Sequence, residues 1–231
     1  MRFLLVGVQT AVLVVGATGF PSFAHADDGE APVSLSANVS LVSDYRFRGI
    51  SLSDEDIAIQ GGLDIASDVG FYAGVWGSSI EQFNGAETEI DLYAGYGRDL
   101  AGITADVSII AYTYPGGTDT NYFEVAGSLG KSVKGWGVKV GVNYAPSQSN
   151  IGNVDNIYVF GDVAVGIKDT PLTLSGHAGF EDGAFGANKI DWLLGATYSL
   201  DRFSFKLEFI GADQSGGGLD NTVVLSVGAT F

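Results

Sequence analysis

Residues 103–112 read ITADVSIIAY, and two kinds of side chain alternate along them. The odd-numbered positions are small or apolar: Ile103, Ala105, Val107, Ile109 and Ala111. The even-numbered positions are mostly polar or aromatic: Thr104, Asp106, Ser108, Ile110 and Tyr112. Because successive side chains of a β-strand point to opposite faces of the sheet, this stretch predicts a strand with one apolar and one polar face.

The same alternation recurs along the chain after residue 33, and no helical period persists beside it. Twelve segments show it: residues 34–48, 57–66, 71–79, 88–97, 103–114, 121–130, 136–144, 156–166, 172–180, 191–199, 203–211 and 222–231. Many have the ~9–11 residues of a tilted strand that crosses a membrane. The sequence therefore predicts an all-β fold, a single antiparallel up-and-down transmembrane β-barrel of about 12 strands.

The connections between these segments alternate in length. Tight turns are predicted near residues 67–70, 98–102, 131–135, 167–171 and 200–202. Longer connections, rich in Gly, Asn, Asp and Ser, are predicted near residues 49–56, 80–87, 115–120, 145–155, 181–190 and 212–221. This regularity is typical of outer-membrane barrels, whose short turns face the periplasm, and a β-sandwich does not require it.

The composition excludes several other classes of protein. The chain has 231 residues, 34 of them Gly, with no Cys and a formal charge of −16. A hydrophobic content of 46% argues against a disordered acidic chain. The absence of Cys excludes a disulfide scaffold, and the negative charge argues against a nucleic-acid partner.

The N-terminus has the features of an export signal. Arg2 precedes a mostly apolar run, and Ala24-His25-Ala26 forms an A-x-A cleavage site. We therefore predict a cleaved secretory signal peptide at residues 1–26, a short segment at 27–33 and the barrel at 34–231. The alternative, an uncleaved membrane anchor, needs a longer apolar run. The predicted location is the bacterial outer membrane.

Aromatic side chains lie near the ends of the predicted strands, on the apolar face. Toward the longer loops these are Tyr45, Phe47, Tyr144, Phe180 and Trp192, and toward the tight turns they are Phe71, Tyr96, Trp136, Tyr198, Phe203 and Phe231. They predict two aromatic girdles that bound a lipid-facing band, whereas the core of a sandwich would collect aromatics at strand centres. The terminal Phe231 also resembles the signal that the bacterial barrel-assembly machinery reads.

The polar face of the strands predicts the lining of a pore. Since a Lys or Arg on the lipid face would cost ~2–4 kcal/mol at the midplane, charged side chains are expected inside. The predicted lining is Asp44, Arg46, Arg48, Asp64, Glu89, Asp91, Asp106, Glu124, Lys139, Asp162, Asp191, Lys206 and Glu208. These are nine acids and four bases, a ratio that favours cations.

The same interior has a second interpretation. Its charges could pair with each other and close a narrow barrel, together with inward aromatic side chains. Those aromatic residues are Tyr72, Trp76, Tyr93, Tyr112, Tyr114, Tyr122 and Tyr158. Arg46 and Arg48 could either attract anions at the mouth or pair with Asp44 or Asp64.

No constellation in the sequence predicts catalysis, a metal or a cofactor. The predicted mature chain contains one histidine, His177, and its parity places it on the polar lumen face. A barrel that hydrolyses lipids needs its histidine base at the membrane face, so we predict that the protein is not an enzyme. A single His without any Cys also argues against a zinc site.

Residues 43–51, SDYRFRGIS, resemble the opening motif of the TorF-type porins, a bacterial family of the Gcw_chp type. The resemblance continues at residues 60–64 (QGGLD), 70–78 (GFYAGVWGS) and 89–96 (EIDLYAGY) and covers essentially the whole mature chain. It implies an outer-membrane barrel with pore activity, and it carries no catalytic residues and no named substrate.

Together these features predict a porin-like channel for passive diffusion of small hydrophilic solutes, mildly cation-selective. Outer-membrane lipid is the expected surrounding, and acidic loops are either solvated or bridged through divalent cations to lipopolysaccharide. Two alternatives are a non-conducting structural or adhesive barrel and a soluble periplasmic β-sandwich that binds a ligand.

Overall fold

The computed structural model describes residues 33–231, so the predicted signal peptide lies outside the described residues. The strands are β1 (Val33–Val42), β2 (Arg46–Phe47), β3 (Ile50–Ser51), β4 (Ala58–Ser67), β5 (Phe71–Phe83), β6 (Ala86–Leu100), β7 (Ile103–Thr113), β8 (Tyr122–Val133), β9 (Trp136–Ala145), β10 (Asn156–Gly166), β11 (Leu172–Gly183), β12 (Gly186–Leu200), β13 (Phe203–Ala212) and β14 (Thr222–Thr230). One 3₁₀ helix, Ser149–Ile151, lies between β9 and β10. The described residues include no helix long and apolar enough to cross a lipid bilayer.

Twelve of the strands form a closed antiparallel barrel. Each strand pairs with its neighbours in sequence, and β1 closes the ring by pairing with both β4 and β14. Leu41 of β1 marks the closure, with Ile59 of β4 opposite it on one side and Val227 of β14 on the other. The predicted fold, an up-and-down barrel of about 12 strands, is confirmed.

The outer surface of the barrel is apolar. Leu35 is 75% exposed and Leu194 is 66% exposed, and alternate positions of every barrel strand add further exposed Val, Ile, Leu and Phe side chains. A soluble monomer rarely exposes so large an apolar surface, whereas a lipid-facing barrel requires one. The alternation of the sequence thus separates an apolar exterior from an interior that holds the buried charged side chains.

The two ends of the barrel differ. Val33 and Phe231 lie at the turn end, where tight connections join the strands. Two of these turns, Ala101-Gly102 and Lys134-Gly135, have positive φ at both positions, as a two-residue type I′ hairpin requires. The opposite end, the loop end, carries the longer connections at 43–57, 114–121, 146–155 and 213–221.

Two predicted loops at the loop end are hairpins instead. In place of a loop at 80–87, β5 and β6 continue to the turn Asn84-Gly85, whose φ angles are 48° and 96°. In place of a loop at 181–190, β11 continues to Gly183 and β12 begins at Gly186. In the first of these hairpins Asn-Gly readily adopts positive φ, so residues typical of a loop form only the turn of an extended hairpin.

The first predicted strand, residues 34–48, is also shorter than expected. Strand β1 ends at Val42, and the chain then turns into the barrel. There β2 and β3 form a separate two-stranded sheet around the turn Arg48-Gly49, with φ angles of 50° and 84°. We call residues 44–53 the inner hairpin.

The prediction that Tyr45 and Phe47 belong to a lipid-facing girdle is wrong, because both residues lie on the inner hairpin. Tyr45 is only 6% exposed, and its ring packs edge-on against Trp76 inside the barrel at 5.4 Å. Phe47 packs against Tyr112 at 5.8 Å. Alternation alone cannot distinguish lipid from the apolar interior that receives these rings. In contrast, Tyr144 and Phe180 are exposed on the outside, as predicted.

Candidate functional site: the barrel interior

The predicted pore-lining residues occupy two kinds of position. Ten lie at alternate, inward-facing positions of barrel strands: Asp64, Glu89, Asp91, Asp106, Glu124, Lys139, Asp162, Asp191, Lys206 and Glu208. The other three, Asp44, Arg46 and Arg48, lie on the inner hairpin and not on the wall. Their side chains are nonetheless buried inside the barrel.

Sequence reasoning missed two charged residues of the interior. Glu181 and Lys189 fall in the predicted loop 181–190, but they lie on β11 and β12 and are buried. Glu181 has the parity of His177, and Lys189 has the parity of Asp191. Extending the two strands at constant parity would have found them.

From the tip of the inner hairpin, Arg48 bridges two strands of the wall, β8 and β11. Its Nη2 donates to Oε2 of Glu124 on β8 at 2.6 Å, and its Nη1 donates to Oε1 of Glu181 on β11 at 2.7 Å. Both carboxylates are 0% exposed. Burial lowers the pKa of the Arg48 guanidinium, but the charges of Glu124 and Glu181 outweigh it and hold that pKa well above its ordinary value.

Neighbouring side chains hold the two carboxylates in place. The Nδ2 of Asn143 donates to Glu124 at 3.0 Å, and the Nδ2 of Asn156 donates to Glu181 at 3.0 Å. Lys189 pairs with the second oxygen of Glu181 at 2.6 Å and donates to the backbone carbonyl of Arg48 at 2.8 Å. A buried ion pair needs further polar partners to be stable, and these three side chains supply part of them. The Nε of Arg48 and the Oε1 of Glu124 remain buried without a hydrogen bond.

Aromatic rings complete the surroundings of Arg48. Its guanidinium carbon lies 4.3 Å from the centre of the Tyr158 ring and 4.6 Å from that of Phe47. Both distances are within the range of cation–π attraction. We call Glu124, Glu181, Asn143, Asn156 and Tyr158 the Arg48 pocket.

Arg46 ties the inner hairpin to another loop. Its Nε pairs with Asp44 at 2.5 Å, and its Nη1 donates to the backbone carbonyls of Gly218 and Asp220. Of the two sequence-based interpretations, pairing with Asp44 therefore describes Arg46. Arg48 pairs with neither Asp44 nor Asp64, because its partners are Glu124 and Glu181.

A polar network continues from the Arg48 pocket along β9–β12. Tyr158 donates to Asp191 at 3.0 Å and lies 2.7 Å from Nε2 of His177. The Nδ1 of His177 lies 2.7 Å from Asp162, which Lys139 approaches to 3.3 Å. Hydrogen bonds and ion pairs therefore link polar side chains continuously along this side of the interior.

The β4–β7 side carries carboxylates bound to phenols. Tyr93 donates to Asp64, Tyr72 donates to Asp106 at 3.0 Å, and Tyr114 donates to Glu89 at 3.1 Å. Tyr45 of the inner hairpin lies next to this part of the wall. Its pKa is raised well above the ordinary value, first by burial and then by the charges of Glu89 and Asp91. The interior is thus more electronegative on this side than on the ion-paired one.

Several inward aromatic rings cover glycines of the neighbouring strand. Tyr72 covers Gly95, Tyr93 covers Gly74, Phe160 covers Gly141 and Tyr158 covers Gly179. A Cβ atom at any of these glycines would overlap the ring. Because glycine leaves this space, the rings lie against the wall instead of projecting toward the barrel axis.

The interior changes character along the barrel. Around the inner hairpin it is filled by apolar side chains: Val42, Tyr45, Phe47, Leu52, Leu193, Ile210 and Val224. Toward the turn end it is lined by partly exposed polar residues, among them Asn38, Asp64 and Lys206. Residues 33–231 contain no group of three or more His, Asp or Glu side chains arranged to hold a metal ion.

Residues 26–229 match the family described as "Bacterial protein of unknown function (Gcw_chp)". The chain belongs to the Gcw_chp family. No curated protein matches the sequence.

Solved structures place this Gcw_chp chain among the porin folds. It is similar to a KdgM porin with a TM-score of 0.61 and 7% identity, over 85% of this chain and 98% of that one. It is similar to the NanC porin with a TM-score of 0.58 and 11% identity, over 86% and 99% of the two chains. It is also similar to an outer membrane channel from Pseudomonas putida F1, with a TM-score of 0.50 and 9% identity, over 90% of this chain and 98% of that one. The Gcw_chp barrel is therefore a porin-like outer-membrane β-barrel in fold.

Proposed function

We propose that this protein is an outer-membrane channel for passive diffusion of small hydrophilic solutes, with a preference for cations. The observation that carries the proposal is the charge of the interior. Ten carboxylates face inward: Asp44, Asp64, Glu89, Asp91, Asp106, Glu124, Asp162, Glu181, Asp191 and Glu208. Five Lys or Arg side chains accompany them: Arg46, Arg48, Lys139, Lys189 and Lys206. An excess of acidic side chains along a pore favours cations.

This charge argues against an acidic polymer as the solute. A KdgM porin structure contains oligogalacturonate, which is a polyanion. In this protein the carboxylates of the β4–β7 side, such as Asp64 and Asp106, would repel such a chain. The shared fold therefore supports a channel, whereas the side chains support a different class of solute.

The inner hairpin is the proposed constriction. It carries Arg48 to the Arg48 pocket and fills the loop end with apolar side chains. Below it, the rings of Tyr72 and Tyr93 lie on glycines, which leaves the wall of the turn end flat. We infer a water-accessible vestibule at the turn end that narrows at the inner hairpin.

Location and assembly belong to the same proposal. An apolar exterior and the predicted signal peptide support insertion into the bacterial outer membrane. Phe231 exchanges two backbone hydrogen bonds with Ala37 at the seam of the barrel, at 2.8 and 3.1 Å. We propose that the barrel-assembly machinery recognises this terminal residue. We also propose that the acidic loops contact lipopolysaccharide, and that the chain belongs to the TorF-type subgroup of the Gcw_chp family.

We infer no enzymatic activity from His177. Both of its ring nitrogens lie against polar groups of the interior, on Asp162 and Tyr158. A base that acts on lipid would have to reach the opposite face of the sheet.

The test is the reversal potential of the purified mature protein in a planar bilayer under a KCl gradient. We expect discrete conductance steps and a reversal potential of the sign that K⁺ permeation produces. Steps with an anion-selective reversal potential would overturn the cation preference and keep the channel.

One observation favours a second function, a non-conducting structural barrel. Arg48 and its two carboxylates close part of the interior with fully buried charges. Absence of steps from protein that is shown to be inserted would support this function over the channel.

A further inference from the structure

The Arg48 pocket is built by the barrel wall alone. Glu124, Asn143, Asn156, Tyr158 and Glu181 come from the four consecutive strands β8–β11. Arg48 comes from the inner hairpin, 76 residues from Glu124 and 133 residues from Glu181 in sequence. The wall therefore presents two buried carboxylates and an aromatic face to a group that is not part of it.

The inner hairpin has little structure of its own. Each of its strands has two residues, and an isolated pair of strands is marginally stable in water. Its tip residue Arg48 has a φ of 50°, in the left-handed region that disfavours side chains other than Asn, Asp and His. Contacts with the wall and with the loop 213–221 must therefore hold the hairpin in place.

We infer that the Arg48 pocket is a binding site for guanidinium-bearing solutes, which Arg48 occupies as an internal ligand. The inference rests on the proposed channel only for the route by which such a solute arrives. A solute of this class would enter the pocket when the Arg48 side chain is withdrawn from it.

The geometry of the pocket selects a guanidinium over other cations. Its two carboxylates receive separate nitrogens of one planar group, at 2.6 and 2.7 Å, and the centre of the Tyr158 ring lies 4.3 Å from the guanidinium carbon. An ammonium is a compact point charge and lacks the flat face that stacks on a ring. Lys189 already occupies the second oxygen of Glu181.

The Arg48 pocket also contains acceptor atoms that a further hydrogen-bond donor can reach. The Oε1 of Glu124 and the Oδ1 of Asn143 are buried and accept no hydrogen bond. Both residues are 0% exposed. An alkylguanidinium solute carries the same five N–H donors as Arg48, but no backbone fixes its position, so it is free to turn donors toward these acceptors.

The test uses Arg48→Gly, which removes the side chain and relieves the positive φ at the turn. The probe is guanidinium chloride at low-millimolar concentration, with tetramethylammonium chloride as a cation of equal charge and no N–H donor. We expect guanidinium to raise the unfolding temperature of detergent-solubilised Arg48→Gly, because a ligand that binds only the folded state stabilises it. Wild-type protein, whose pocket is filled, should not respond.

A matched variant locates the effect. In Arg48→Gly combined with Glu124→Gln and Glu181→Gln, the shift with guanidinium should be lost. Equal shifts with guanidinium and tetramethylammonium, or a shift that survives in the triple variant, would overturn the site. If Arg48→Gly folds only when guanidinium is present, that dependence supports the site.

A second variant, Arg48→Gln, tests the site if Arg48→Gly does not fold. Arg48→Gln keeps a polar side chain that is uncharged and too short to fill the guanidinium position, and it should respond to guanidinium as Arg48→Gly does. If neither variant responds, the inference is wrong. The unfolding temperature is independent of conductance, so a shift without conductance steps contradicts the channel alone, and steps without a shift contradict the site alone.

Discussion

The guanidinium of Arg48 lies 2.6 Å from the carboxylate of Glu124, and both side chains are fully buried inside the barrel. This pair joins the inner hairpin, which lies inside the barrel and is not part of its wall, to a strand of that wall. The position of the inner hairpin, and with it the width of the proposed pore, therefore depends on buried charges as well as on apolar packing.

Replacing Glu124 by Ala should destabilise the barrel and loosen the inner hairpin. Removing one partner of a buried ion pair costs about 3–5 kcal/mol, because the other charge stays buried without compensation. Glu181 still pairs with Arg48, so we expect the lower end of this range. The measurement is urea unfolding in detergent, together with single-channel conductance, which should rise.

Glu55→Gln is the matched control for that variant. Glu55 pairs with Arg46 at 3.3 Å, but its side chain is 60% exposed. Exposed ion pairs contribute about 0–1 kcal/mol, so this variant should unfold and conduct like the wild type. Equal losses in Glu124→Ala and Glu55→Gln would show that the burial of the Arg48 pair has no special effect.

The distinction between wall and hairpin also marks what the sequence could predict. Alternation predicted the barrel because lipid and an aqueous interior impose opposite demands on successive side chains. Tyr45 and Phe47 keep the same alternation but meet an apolar interior, so the pattern could not place them. The partners of Arg48 lie on strands far away in sequence, and no local pattern encodes that pairing.

Gly74→Ala should force the ring of Tyr93 off the wall. A Cβ atom at residue 74 would overlap that ring, so the phenol must turn toward the barrel axis and lose its contact with Asp64. Overpacking of this kind costs about 1–3 kcal/mol. We expect lower stability in urea and a smaller conductance step.

Gly137→Ala and a double variant control this prediction. At Gly137 the nearest atom to an added Cβ lies 3.8 Å away, so the methyl group fits there. Gly74→Ala combined with Tyr93→Ala should recover the conductance, since the displaced ring is absent. If Gly74→Ala and Gly137→Ala conduct alike, the ring of Tyr93 does not restrict the pore.

Asp64→Asn together with Asp106→Asn should weaken the cation preference. Both carboxylates lie on the β4–β7 side, where they accept hydrogen bonds from tyrosines. Removing two negative charges from the vestibule should move the reversal potential toward zero under a KCl gradient. Asp169→Asn, at an exposed turn, removes a charge outside the barrel and should leave the reversal potential unchanged. A double variant with the wild-type reversal potential would place ion selection elsewhere in the pore.

Two adjacent residues of β8 test which face of the sheet meets lipid. Leu129 is 54% exposed on the outside, whereas Ser128 faces inward and pairs in register with Asp106. Leu129→Lys should cost ~2–4 kcal/mol, as a cation does at the midplane of the lipid face. Ser128→Lys should be tolerated, because its ammonium meets the polar side of the sheet and Asp106. The measurement is the fraction of each variant that refolds into liposomes, read from the heat-modifiable mobility of the folded band. Equal refolding of the two variants would contradict a lipid-facing exterior, and a selective defect in Ser128→Lys would require the faces of β8 to be exchanged.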